Sequence, residues 1–455
     1  MKRKKRFLTL ISVSLFIFLS TFIQSGSIIS AKGDIYQNDR SHSTIPRIHS
    51  QGPNNIDKLL VKFKPRMDEH KRNLIAKAFN TKIIGENASL DIYVLQILEN
   101  EDIDMTLYLL KRNPDIIYAE KNYPVYITET PNDIFFKLQY SLHTSNTIPG
   151  SSQLENRPDI RATEGWEETK GDEEVIIAIV DTGVDLLHPD LENKIISNGR
   201  DFINDDFDAN DDHGHGTHVA GIAAADTDNS NGIAGVAWNC KILPIKSLNK
   251  NGVGEYSHLI NGITYAANNG AHVINLSVGG ENPSQALSDA LSYAYDKDIV
   301  IVASTGNEGG AVLYPAAYDD YCLAVAATDE NNQRVSWSNF GPEVDVAAPG
   351  KDIFSCDPTA LTDPGRIPYQ YRSGTSMATP HVAGLAALIK SLKPWLTADE
   401  IMNIIRYSSD DINQSDFIGN DQFIGYGRIN MEKALVPIII SKIFQNINFL
   451  KLMTI

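Results

Sequence analysis

The sequence predicts an α/β protein, a mostly parallel sheet with helices on both faces, preceded by a small α+β unit. Two observations in the larger part predict it. Five short segments, "EVIIAIVD", "KILPIKSL", "AHVINLSV", "DIVIVAST" and "CLAVAATD", are apolar at successive positions, as strands buried on both faces are. Between them "GTHVAGIAAA", "HLINGITYAANNG" and "SQALSDALSYAYDK" are longer and helix-like, and strand–helix alternation of this kind builds a parallel sheet. A third observation predicts the smaller unit. "KLLVKFKP", "DIYVLQIL" and "DIIYAEKNYPVYI" read as strands, with "DEHKRNLIAKAF" and "DIDMTLYLLKRN" as helices between them. That is a β-α-β-α-β run of about seventy residues.

The elements fall in order along 455 residues, a length that suits two folded units with tails. Residues 1–31 open with "MKRKKR" and continue into "FLTLISVSLFIFLSTFI". A basic stretch, an apolar core and the small residues of "SIISA" form an export signal cleaved near Ala31. An uncleaved anchor is the alternative, and either places the working part outside the cytoplasm. Residues 32–56 read as linker, 57–127 as the α+β unit, 128–435 as the large domain and 436–455 as a tail of unknown role. The tail is interrupted by Lys442, Gln445, Asn446, Asn448 and Lys451, so it makes a poor membrane span.

A net charge of −17 argues against nucleic acid as the partner. Three cysteines, Cys240, Cys322 and Cys356, cannot build a disulfide framework and match no metal spacing. Buried thiols, or one bridge and a free thiol, are the two readings.

In a parallel sheet, sites collect beyond the carboxyl ends of the strands. "AIVDTGVD" puts Asp181 at such an end, and "VASTGNEGG" puts Asn307 just past another. "DDHGHGTHVAG" starts a helix with His215 between His213 and His218, without the H-E-x-x-H of a zinc site. "SGTSMATPHVAG" starts another with Ser376. Hydroxyls and glycines there suit a helix cap, and they equally suit a nucleophile at the positive end of a helix dipole. Each residue alone has a plain turn or capping role. Together an Asp, a His and a Ser supply acyl transfer. The Ser attacks, the His moves its proton and the Asp holds the His, while an Asn amide meets the oxyanion.

Three stretches in this order, Asp181 and His215 34 residues apart and His215 and Ser376 161 apart, carry a resemblance to the subtilisin-like serine proteases, or subtilases. "AIVDTGVD", "HGTHVAG" and "GTSMATPHVAG" resemble that family's Asp, His and Ser motifs from about Asn132 to Leu435. The resemblance implies a subtilisin-like fold, Asp181, His215 and Ser376 as catalytic triad, and Asn307 as oxyanion donor. It implies that residues 57–127 are an inhibitory, chaperone-like propeptide.

It extends to the cleft. Gly252, Val253 and Gly254 resemble an edge strand that pairs with substrate, and Tyr256 and Leu259 resemble the lining of an apolar subsite. For those two, ordinary helix packing is the alternative. Ser277, Val278 and Gly279 resemble one wall of the primary pocket, Ser304, Gly306 and Asn307 the other, with Leu313 near its floor. Calcium is the implied cofactor, with Gln139, Asp190 and Asn229 giving side-chain oxygens and Thr227, Asn231 and Ile233 giving carbonyls, a set that suits a hard cation. The acidic loop 204–212 is either a second calcium site or simply solvated.

These readings imply a secreted, monomeric endopeptidase acting on polypeptides, matured by its own cut between about Tyr123 and Thr130 with Tyr126 in the primary pocket. A dedicated protease that removes the leader of an exported peptide such as a lantibiotic is the competing reading.

Overall fold

The computed structural model describes residues 57–98, 103–122, 130–144 and 157–436, apart from 364, 414 and 416. The export signal, first linker, proposed self-cleavage site and C-terminal tail lie outside them. The chain divides into two compact units, Met1–Val125 and Tyr126–Ile455.

In the small unit four strands, β1 (Lys58–Phe63), β2 (Thr81–Asn87), β3 (Ile92–Ile97) and β4 (Ile116–Lys121), lie in the order β2-β3-β1-β4. Every pairing is antiparallel. Helices Glu69–Ala78 and Ile103–Lys111 supply Ile75 and Leu110 to a core with Leu59, Val61, Phe63 and Leu95. Burial alternates along β1 and β3, the period-2 signature of a sheet covered on one face. The expected β-α-β-α-β order lacks one strand. In β2, "TKIIGEN", Thr81 alone is fully buried and the register shifts between Ile83 and Gly85, so the sequence shows no clean alternation there.

In the large unit seven strands run β11-β10-β9-β8-β5-β7-β6: β5 (Ile176–Asp181), β6 (Arg200–Asp201), β7 (Lys241–Lys246), β8 (Val273–Leu276), β9 (Val300–Ser304), β10 (Cys322–Thr328) and β11 (Val346–Pro349). All are parallel. A two-stranded antiparallel ribbon follows, β12 (Ile353–Cys356) with β13 (Tyr369–Arg372). The sheet separates two cores. Ile177 and Ile179 of β5 belong to one, with helices His215–Ala224 and Thr375–Leu392. Ala178 and Val180 belong to the other, with helices Tyr256–Asn268 and Gln285–Tyr295. Burying both faces is why these strands read as continuous apolar runs. Each fully buried Ile contributes about 1.5–3 kcal/mol.

From β5 the chain adds β7 on one side and then β8, β9, β10 and β11 on the other. The order reverses at β5, and a crevice opens beyond the carboxyl ends of strands at such a point. The three cysteines are buried and free, and burial raises each thiol pKa.

Candidate active site

Asp181 is the last residue of β5 and fully buried. Its Oδ1 accepts from the Thr182 N–H at 2.7 Å and meets His215 Nδ1 at 2.7 Å. His215 is the first residue of its helix. Gly216 must follow it, because a Cβ there would stand on the Gly183 carbonyl oxygen. Burial alone would lower the His215 pKa; the charge of Asp181 and its hydrogen bond outweigh that and raise it. Arg372 opposes the rise and Asp211 adds to it.

Ser376 lies in the first turn of helix Thr375–Leu392, which is buried through most of its length. Its Oγ donates to the Ser277 carbonyl at 3.1 Å, and Ser277 Oγ donates to the Ser376 carbonyl at 2.9 Å. The second bond has a cause in the sequence. Pro380 sits four residues on and has no N–H, so the helix cannot satisfy that carbonyl.

Asn307 follows β9 through Gly306, whose φ of 105° suits glycine. Its Oδ1 accepts from the Thr375 N–H at 2.8 Å and the Thr375 hydroxyl at 3.0 Å. With its oxygen held, the side chain presents its NH₂ group near Ser376; a Cβ on Gly374 would lie 3.6 Å from Asn307 Nδ2 and 3.7 Å from the Ser376 nitrogen.

Beside this group the Leu313 side chain stands between two backbone walls. Its Cδ1 would be 2.8 Å from a Cβ on either Gly279 or Gly306. Ser277 and Ser304 are buried, while Val278 is partly exposed. The arrangement is a slot with glycine in each wall and an apolar residue between them.

A family model described as the subtilase family matches residues 172–427, and one described as the fervidolysin N-terminal prodomain matches residues 56–122. The chain belongs to the subtilase family. It is 36% identical over 431 residues to "Thermophilic serine proteinase" of Bacillus sp. (strain AK1), covering 94% of this chain and 99% of that one. It is 42% identical over 307 residues to "Thermitase" of Thermoactinomyces vulgaris, covering 67% and 99%. Among solved structures, a protease from Pseudoalteromonas arctica PAMC 21717 superposes with a TM-score of 0.59 at 31% identity, covering 68% of this chain and 99% of that chain. The expected family, fold class and serine endopeptidase activity are borne out.

Elsewhere in this subtilase the geometry departs from expectation. Gly252–Gly254 form no strand. Asn249 closes a turn there, its N–H donating to the Val253 carbonyl at 2.9 Å and its Oδ1 accepting the Val253 N–H at 3.3 Å. Gly252 and Gly254 remain on either side of that tied residue. Leu259 is a core residue, and the partly exposed Tyr256 donates to the Asn282 carbonyl at 2.6 Å.

In the loop expected to hold calcium, Gln139 is turned aside. Its amide grips Ala234 from both directions, Nε2 donating at 2.7 Å and Oε1 accepting at 2.8 Å. Asp190 faces the loop, accepting from the Ile233 N–H at 2.8 Å and from Asn231 Nδ2 at 3.1 Å. Thr227 spends its hydroxyl on the Ala225 carbonyl and the Gly235 N–H, and Asn229 accepts from the Asn231 N–H. A residue absent from the sequence reading stands beside them. Asp133 accepts from the Asp228 N–H at 2.9 Å through Oδ2, while its Oδ1 is buried without a partner. Burial pushes Asp190 up to about 6 and raises Asp133, and a neighbouring negative charge adds to each rise, that of Asp133 for Asp190 and that of Asp228 for Asp133. The signal was the acidic residue of "PND" (Pro131–Asp133).

In the acidic loop 204–212, Asp206 and Asp208 serve the loop's own turns, Asp205 and Asp212 pair with Arg200 and Lys246, and Asp211 reaches the segments around His215. Asp206 accepts from the Asp208 N–H and Asp208 from the Asn210 N–H; Asp201, just before it, accepts from Ile203 and Asn204. His213 and His218 gather no metal ligands: burial, followed by Arg372, pushes His218 down to about 3, and its Nε2 meets the Gln370 carbonyl. Among the described residues no three His, Cys, Asp or Glu side chains form a metal cluster, and no helix is long and apolar enough to cross a membrane.

Proposed function

We propose that this subtilase is an exported, self-processing, calcium-stabilised endopeptidase in which Asp181, His215 and Ser376 form the triad. The short Asp181–His215 contact carries the reading. It leaves His215 Nε2 as the base. Ser376 Oγ turns from the Ser277 carbonyl, loses its proton to Nε2 and bonds to the peptide carbon, while Asp181 stabilises the imidazolium. The carbonyl oxygen takes the negative charge and the Asn307 amide donates to it. Nε2 then protonates the departing amine, and water, deprotonated by the same nitrogen, hydrolyses the acyl-enzyme.

An extended substrate would lie along Gly252 and Gly254 by strand addition. Its side chain before the cut would enter the slot between Ser277–Gly279 and Ser304–Gly306, over Leu313. Tyr126 is our choice for that position when the chain cuts itself between about Tyr123 and Thr130. Residues 1–31 would be the signal, 57–127 the inhibitory propeptide and 128–435 the peptidase. The prodomain match supports the propeptide role.

For calcium the donor set is refined. Asp190, Asp133 and Asn229 would give side-chain oxygens and Thr227, Asn231 and Ile233 carbonyls, with Asp133 replacing Gln139. The buried, unpartnered Asp133 oxygen and the facing Asp190 charge fit a hard cation. Calcium would supply stability, neutralising two buried carboxylates.

Relatives named as a thermophilic serine proteinase, an alkaline protease and an extracellular serine protease support broad extracellular proteolysis over dedicated leader removal. Ser376→Ala tests the reading, by loss of peptidase activity and of labelling by a fluorophosphonate.

A further inference from the structure

We propose that Asp211 is a positioning residue for catalysis, the anion that locks His215 against the end of β5. Its carboxylate is 2% exposed and takes five hydrogen bonds from the segments around His215. Oδ1 accepts from the Thr182 hydroxyl, the His213 N–H and the Gly214 N–H, each at 2.9 Å. Oδ2 accepts from the Thr217 N–H at 2.9 Å and the Thr217 hydroxyl at 2.6 Å. His215 is thus held from the residue before it and from two residues after it.

The same knot reaches the aspartate side of the pair. Thr182 directly follows Asp181, and its hydroxyl accepts from the Gly216 N–H at 2.9 Å while donating to Asp211. Its carbonyl takes Lys246 Nζ at 2.7 Å, and Lys246 also pairs with Asp212. Thr217 ties in the turn beyond, accepting from the Asp185 N–H at 2.9 Å. The two chain segments whose side chains meet at 2.7 Å are therefore fastened through one carboxylate.

The chemistry calls for an acceptor on both oxygens of that carboxylate. Every group around it is a donor, and an ionised carboxylate is acceptor-only. An Asn side chain must turn its NH₂ toward one set of donors, leaving backbone N–H groups of Gly214 and His213, or that of Thr217, without an acceptor. Asp211 touches neither substrate nor the reacting atoms, so it acts through the placement of His215. Its charge also favours protonated His215, together with Asp181 and against Arg372. A small displacement of a catalytic group costs a factor of up to about 10² in rate.

The inference rests on the triad reading, and the test separates the two. The mature enzyme, produced from the full-length chain, would be assayed on a peptide substrate, well below its melting temperature, with active sites counted by fluorophosphonate. Asp211→Asn should lower kcat about 10- to 100-fold with KM nearly unchanged, and should move the acid limb of the kcat profile to lower pH. Ser376 should still be labelled, more slowly. A merely structural Asp211 would lower Tm while leaving kcat per active site and the acid limb in place, and that result overturns the inference. Where Asp211→Asn fails to fold, Thr182→Val should lower kcat and Thr182→Ser should restore most of the loss; equal rates for the two overturn it. Label found on a residue other than Ser376 removes the triad reading and the inference with it.

Discussion

Ser277 and Ser376 exchange two hydrogen bonds, each hydroxyl donating to the other's carbonyl, at 2.9 and 3.1 Å. One bond satisfies the carbonyl that Pro380 leaves without a helical donor; the other parks the proton of the proposed nucleophile on the wall of the slot. Removing the Ser277 hydroxyl leaves a helix carbonyl unsatisfied, a loss of about 1–3 kcal/mol. Ser277→Ala should therefore lower kcat/KM about tenfold. Pro380→Ala restores an N–H four residues on, so the double variant should lose less than the product of the single losses. Strictly multiplicative effects in this cycle would show that the carbonyl is satisfied in another way.

Asn307 is held by its oxygen so that its nitrogen is the group left to donate. Asn307→Leu should cut kcat by about 10² to 10³ with KM little changed, the magnitude known for the corresponding amide in subtilisin, a relative. Steady-state kinetics on a chromogenic peptide check this. A loss confined to KM would make Asn307 a binding residue.

The pH profile follows from the charges facing His215: Asp181 and Asp211 favour its protonated form and Arg372 opposes it. The net shift is upward, and the base must be neutral to work. Activity should thus fall, as pH drops, at a value above that of free imidazole. Arg372 pairs with Asp357 at 3.4 Å. Replacing it by Gln removes the opposing charge, so the acid limb of kcat/KM should move further up in pH. A downward move would reverse the assigned sign.

Removing calcium should shorten the lifetime of the mature enzyme on heating, since an ion bound only to the native state stabilises it, by about 2.7 kcal/mol at a hundred times its dissociation constant. Asp133→Asn and Asp190→Asn should each reproduce much of that loss with initial turnover nearly intact. Gln139→Ala should leave the calcium dependence in place. Equal inactivation rates with calcium and with chelator would remove the ion from this loop.

What the sequence revealed and concealed divides along physical lines. The sheet was legible because strands such as "IIAIVD" are buried on both faces and stay apolar throughout. β2 was not, because Ile84 sits at a register shift between Ile83 and Gly85 and Thr81 is its single fully buried residue. Asp181, His215, Asn307 and Ser376 were singled out because each stands where a strand ends or a helix begins, in a short stretch of glycines and hydroxyls. Asp133 reads as an ordinary linker acid, and Asp211 as one member of an acidic loop that either holds calcium or is solvated. Asp133 is joined to Asp228 by the fold, 95 residues on, and the count of donors around Asp211 exists only once β5 and the His215 helix are side by side. Gln139 is a related case: sequence gives its oxygen but not the Ala234 N–H that donates to it.

Self-maturation with Ser376 as the nucleophile has one direct test. Wild-type and Ser376→Ala chains, produced in a host lacking other proteases, should be compared by intact mass and by fluorophosphonate labelling. The wild type should give a labelled form whose N-terminus falls between Pro124 and Pro131, and Ser376→Ala a folded chain that keeps residues 57–127 and takes no label. A Ser376→Ala chain trimmed at the same place, or still cleaving peptide, would contradict it.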